Sequence, residues 1–232
     1  LVTFLAATAD LAPGKSPLEL AGTITRTLRC TACHDRDTTI SPRREIIADE
    51  SDRGLLPSVL PNLTWSGEKL QTAWTSKLLS GRLKRSSRPW LKARMPSFGY
   101  WGDRLARGLA AEHGVSTAAT TGPGPDSTLA EIGDKLTRKQ GGFNCMQCHG
   151  VGQKPALAPF DNRGVNFSRV KQRLRYGFYL DWMFDPLRLD PHSKMPRFSP
   201  DRKTTAVGNV LDGDARRQFD ALWHFLQAIE DN

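Results

Sequence analysis

Cys30-Thr31-Ala32-Cys33-His34 and Cys145-Met146-Gln147-Cys148-His149 constrain this chain more than any other feature. Each reads C-x-x-C-H, and together they use all four cysteines. That spacing is the one used for covalent haem attachment. Two thiols three positions apart can add to the two vinyl groups of one porphyrin, and the histidine that follows then sits beneath the iron and can bind it. C-x-x-C pairs also bind zinc or carry out thiol–disulfide exchange. Neither chemistry calls for a histidine in the same place twice, and 111 residues separate the two pairs. The motifs imply two haem c groups, tethered through Cys30, Cys33, Cys145 and Cys148, with iron bound by His34 and His149.

With 232 residues and one motif in each half, the chain is expected to form two domains of about 100 residues each. Its 38% hydrophobic and 25% charged residues are the balance of a soluble globular protein. No apolar run reaches the length of a membrane span. The opening Leu1-Val2-Thr3-Phe4-Leu5-Ala6-Ala7 is too short for an intact export signal and lacks a basic segment before it. Haem attachment to C-x-x-C-H takes place outside the bacterial cytoplasm, so a periplasmic or otherwise exported bacterial location is expected. The chain then reads as a mature or excised piece. Its net charge is +9, and Lys69 to Gly102 holds eight basic residues and no acidic one. A basic face suits an acidic redox partner. It also suits a solvated surface on which some arginines pair with haem carboxylates. Aromatic residues are not interleaved as in nucleic-acid binders, so no nucleic-acid partner is expected.

The stretch 116–127 is small, polar and rich in Pro and Gly, and it marks a linker. It separates a first domain, 17–115, from a second, 128–232, with an N-terminal extension over 1–16. The two halves repeat one another in order. Each begins with a helix, Pro17 to Leu28 with Gly22 in one and Thr128 to Lys139 with Gly133 in the other, the latter capped by Asp126 or Ser127. C-x-x-C-H follows, and then a loop, Pro61-Asn62-Leu63-Thr64 or Val165-Asn166-Phe167-Ser168. Next comes an aromatic helix, Glu68 to Leu79 or Arg169 to Phe184, and then Met95-Pro96-Ser97-Phe98 or Met195-Pro196-Arg197-Phe198. A final helix, Trp101 to His113 or Asp214 to Ile229, closes each half. No alternating run suggests a sheet. An all-α fold is expected, with long loops wrapped around the cofactors.

In this order of motifs each half resembles a class I cytochrome c domain, and the pair resembles a dihaem cytochrome c over almost all of residues 17–232. The resemblance implies that the first and last helices of each half cross through a glycine. Gly22 and Gly133 fit that role, the second meeting Trp223 or Phe225. It also implies that the proline carbonyl of the loop accepts the proximal histidine's N–H. Pro61 matches, and Val165 departs from the pattern but still offers a carbonyl. The tail from Val210 to Leu226 looks like haem domains appended to larger periplasmic proteins. Leu1 to Leu5 resembles the end of another such helix, which implies fused domains as further partners.

Met95 and Met195 are the expected distal ligands. A methionine is often only core packing. Two Met-Pro dipeptides, each followed by x-Phe at the same place in a repeat, are much more specific. A thioether stabilises Fe(II), and His/Met ligation raises the potential. The spacing is 61 residues from His34 to Met95 and 46 from His149 to Met195, so the first loop is expected to be longer through Ile40 to Leu55. His192 is a rival for the second iron. His113, His224, Met146 and Met183 read as surface, core or loop residues. Trp74, Trp90 and Trp182 are expected to wall the pockets, and Trp90, Arg94 and Arg197 to meet haem carboxylates.

With both axial positions filled, the expected function is single-electron transfer rather than substrate chemistry. The alternative is a dihaem enzyme, peroxidase-like or thiosulfate-oxidising, with one labile sixth ligand. A sensor role would need an output module that the sequence does not offer.

Overall fold

Helix capping sets the frame. Ser16 Oγ accepts from the Glu19 N–H at 3.3 Å, and Glu19 Oε2 accepts from the Ser16 N–H at 2.9 Å, with Pro17 in the first turn. Helix α1, Pro17–Thr27, grows from this box. The structure is a computed structural model that describes residues 16–54, 60–91, 94–120, 122–157 and 163–230. The extension expected over 1–16 therefore lies outside it except for Ser16. The chain divides into two units. The first comprises Leu1–Lys84 and Leu91–Ala119, and the second Arg85–Trp90 and Thr120–Asn232.

In the first unit α1 leads to a 3₁₀ turn, Cys30–Ala32, then α2, Arg43–Asp52, α3, Ser66–Lys69, α4, Thr72–Leu79, and α5, Gly102–Glu112. Helices α1 and α4 both pack on α5. Ala21, Ile24, Leu79, Trp101, Leu105, Ala106 and Leu109 form the core. A glycine does sit at the α1–α5 crossing, but it is Gly108. A Cβ there would lie 2.3 Å from Ala21 Cβ and 2.4 Å from the Pro17 carbonyl oxygen. Gly22 meets nothing within 4 Å. The expected residue was wrong because helical period places several small residues near the inner face, and only the partner helix decides which one it touches.

In the second unit α6, Ser127–Thr137, precedes the 3₁₀ turns Cys145–Gln147 and Phe167–Arg169. Then come α7, Val170–Arg173, α8, Tyr176–Phe184, α9, Pro186–Leu189, a 3₁₀ turn at Leu211–Gly213, and α10, Ala215–Ala228. Asp126 caps α6 by accepting from the Leu129 N–H at 2.9 Å, and Asp214 caps α10 by accepting from the Arg217 N–H at 2.8 Å. α6 crosses α10 at Gly133, where a Cβ would stand 2.1 Å from the Ala221 carbonyl oxygen and 2.8 Å from Phe225 Cβ. Leu136, Phe219, Trp223, Tyr179 and Phe184 anchor a larger core. Gln218 is wholly buried, and its Nε2 donates to the carbonyls of Val207 and Val210 at 2.8 and 2.6 Å. That fixes the preceding loop on α10.

Among the described residues the fold is helical, with only isolated bridges such as Arg36 to Thr39 and Val151 to Lys154. None of the described helices is long and apolar enough to cross a membrane. Two departures concern the aromatic helices. Each is broken in two, at Leu70–Gln71 and at Leu174–Arg175, where the backbone turns extended. No Pro or Gly marks either break. The turn in the chain instead tucks Gln71 and Arg175 inside, at 7% and 4% exposure. The long loop after Ile40 also contains a helix, α2, which buries no side chain.

Candidate functional site

The two C-x-x-C-H segments share one local geometry. A left-handed residue enters each turn, Arg29 at φ 52° and Asn144 at φ 58°. Asn tolerates that region, whereas for Arg it costs about 1 kcal/mol. The 3₁₀ turn then brings the His34 N–H to the Cys30 carbonyl at 3.0 Å, and the His149 N–H to the Cys145 carbonyl at 3.0 Å. The four cysteines are unbridged thiols. Burial pushes the Cys145 thiol up to about 12 and raises Cys30 in the same direction. Both are thus held as neutral thiols.

Each imidazole is fixed by the loop carbonyl expected for it. His34 Nδ1 lies 2.9 Å from the Pro61 carbonyl oxygen, and His149 Nδ1 lies 2.8 Å from that of Val165. A carbonyl only accepts, so Nδ1 carries the proton and Nε2 keeps its lone pair for a metal. Burial holds His149 below the usual histidine value, opposed by the Val165 carbonyl and assisted by the positive charge of Arg173. The loops are tied down in parallel fashion. The Leu63 N–H donates to the Asp35 carbonyl and the Phe167 N–H to the Gly150 carbonyl, both at 2.8 Å. Asn62 Oδ1 accepts from the Thr64 N–H at 2.8 Å, and Asn166 Oδ1 from the Ser168 N–H at 2.9 Å. In the first unit Arg36, just past His34, pairs with Glu112 at 2.6 Å and donates to Thr25 Oγ1 at 3.3 Å. One side chain thereby pins the attachment loop to both crossing helices.

The second site is packed more closely. Phe167 stacks on the His149 ring at 4.7 Å and 21°. Gly164 lies against the same ring, and a Cβ there would come within 2.4 Å of both Cε1 and Nδ1. Met195 packs against the core that Phe167 and Phe198 also meet. The Trp182 indole N–H donates to Met195 Sδ at 2.9 Å. The Met195 N–H donates to Ser193 Oγ at 3.2 Å. Met95, by contrast, is 41% exposed.

The remaining expected residues fall in varied places. The Arg94 guanidinium donates to the Leu91 carbonyl, and Arg197 pairs with Asp185 at 3.2 Å. Arg197 also lines a cleft of about 550 Å³ with Phe143, Phe198 and Thr205. Trp90 lies in Arg85–Trp90, which belongs to the second unit although the sequence places it in the first half. His192 is exposed in a turn, its N–H donating to Asp190 Oδ1 at 3.0 Å. His113 sits 3.8 Å from Glu68, and His224 is buried on α10.

Sequence reasoning missed Gly164, the Phe167 stack and the indole–sulfur contact. It also missed a pair of cations in the second unit. Arg173 is held down to about 10, first by burial and then by the like charge of Arg88, and burial lowers Arg88 too while Asp190 opposes it. Arg88 belongs to the second unit through the return of Arg85–Trp90, which linear spacing does not show.

The residues present fit a covalently attached porphyrin. Each unit offers two unbridged thiols beside an imidazole whose Nδ1 is held by a loop carbonyl. The second adds a thioether with a fixed sulfur. No protein-family model, curated protein or solved structure matches the chain.

Proposed function

We propose that this chain is a tandem pair of class I cytochrome c-like domains carrying two haem c groups and relaying single electrons. The observation that carries the proposal is the repeated contact of His34 Nδ1 with the Pro61 carbonyl and of His149 Nδ1 with the Val165 carbonyl. A metal-binding histidine is typically held in this way by a second partner, and here the contact recurs in the same motif twice.

Cys30 and Cys33 would tether one porphyrin, and Cys145 and Cys148 the other. His34 and Met95 would supply the axial donors in the first half, and His149 and Met195 in the second. When bound, each haem supplies one reversible electron, and the protein sets its potential and spacing. The loop carbonyls orient the imidazoles and raise their basicity. The net charge of +9 favours an acidic redox partner. Covalent attachment of this kind would put the protein in the periplasm or a comparable exported location, and fused domains of a longer chain would be further partners.

A potentiometric titration of the holoprotein tests the reading. Two one-electron steps at positive potential are expected. Potentials characteristic of bis-histidine haem at both sites, or absence of covalently bound haem, would overturn it.

A further inference from the structure

We infer that the two distal thioethers are held unequally, so that the first haem, under Met95, exchanges its sixth ligand and takes a small exogenous donor while the second stays closed. This rests on the ligation proposed above and deepens it by assigning the labile position to one half.

The two halves can be matched residue by residue across the broken helix. Leu70 and Leu174 occupy the same place, each ending a four-residue helix in extended conformation with its N–H on the first carbonyl of that helix, Ser66 or Val170. Eight residues further on stand Leu78 and Trp182. Trp182 donates its indole N–H to Met195 Sδ at 2.9 Å. An aliphatic Leu78 has nothing to donate. A thioether sulfur has two lone pairs. The indole takes one and leaves the other for iron, so the sulfur of Met195 is held in place before any metal arrives.

Burial acts in the same direction. Met195 packs against the second core. Met95 is 41% exposed, and its neighbour Phe98, not the methionine itself, packs against the first core. An exposed methionine must lose its rotamer freedom each time it ligates. A clamped one has lost most of it in folding. The first Fe–S bond should therefore open more readily, and a competing donor should enter there.

Imidazole titration of the oxidised holoprotein, followed through the Met–Fe(III) charge-transfer band, tests this in the wild type, Met95→Ala, Met195→Ala and Trp182→Phe. Two phases of band loss are expected in the wild type. The tighter one should be missing in Met95→Ala and kept in Met195→Ala. Trp182→Phe should leave the tighter phase in place and strengthen imidazole binding in the weaker phase about fivefold, the worth of one hydrogen bond. Equal affinities at the two haems, or a tight phase that belongs to Met195, would overturn the inference and leave the His/Met reading standing. A wild-type protein with no charge-transfer band would overturn the ligation reading and this inference with it. Trp182→Phe keeps the ring, so it tests the indole bond even if Met195→Ala does not fold.

Discussion

Replacing Gly133 and Gly22 by alanine, one at a time, should move stability in opposite directions. At Gly133 the new Cβ would stand 2.1 Å from the Ala221 carbonyl oxygen and 2.8 Å from Phe225 Cβ. Backbone cannot rotate away as a side chain can, so α6 and α10 must separate by more than about 1 Å to reach ordinary contact. Overpacking of that kind costs about 3 kcal/mol. The gain of alanine over glycine in a helix returns about 1 kcal/mol. A net loss of about 2 kcal/mol is expected. At Gly22 no atom lies within 4 Å of the added carbon. Only the helix term remains, a gain of up to about 1 kcal/mol. For a unit of this size 1 kcal/mol moves the midpoint by roughly 4–8 °C. The first variant should melt roughly 10 °C lower and the second roughly 5 °C higher, in thermal scans of the holoprotein. Midpoints that shift together, or an unchanged Gly133→Ala, would refute the placement of the crossing.

Gly164→Ala should tilt His149 off the Val165 carbonyl and alter the spectrum and potential of the second haem only; an unchanged second haem would show that the ring has room. In haem-free protein Cys145, pushed up to about 12, should alkylate at pH 8 at least roughly tenfold more slowly than the exposed Cys33, as read by peptide mass spectrometry, and equal rates would contradict the burial. Asp201 is held well below the usual carboxylate range, first by the Thr204 hydroxyl and then by the N–H groups of Thr204 and Lys203. A depressed carboxylate stabilises above its unfolded pKa and loses that contribution as pH falls through the folded one. Stability between pH 4 and pH 2 should therefore fall less steeply in Asp201→Asn than in the wild type, and identical slopes would refute the contribution.

What the sequence disclosed was mostly local. The Asp126 cap acts over three residues, so pattern alone finds it; the Ser16–Glu19 box is just as local and went unread. The carbonyl partners of His34 and His149 followed from the family resemblance, through the loops at Pro61 and Val165. Choices made by tertiary contact stayed hidden. Gly108 rather than Gly22 meets the facing helix because Ala21 happens to lie opposite. Trp182 reaches Met195 because the chain returns past α9, and nothing in a linear spacing encodes that return. The breaks at Leu70 and Leu174 carry no helix-breaking residue, and only the burial of Gln71 and Arg175 accounts for them.

The passage of Arg85–Trp90 into the second unit bears on how the protein is made. During translation this hexapeptide leaves the ribosome before most of the unit it belongs to has been synthesised. It must wait for Thr120 onward to appear. Cleavage between Ala119 and Thr120 would therefore not separate the two units cleanly. The N-terminal fragment would carry away part of its neighbour, and a C-terminal fragment expressed alone would lack Arg88, whose charge acts on Arg173.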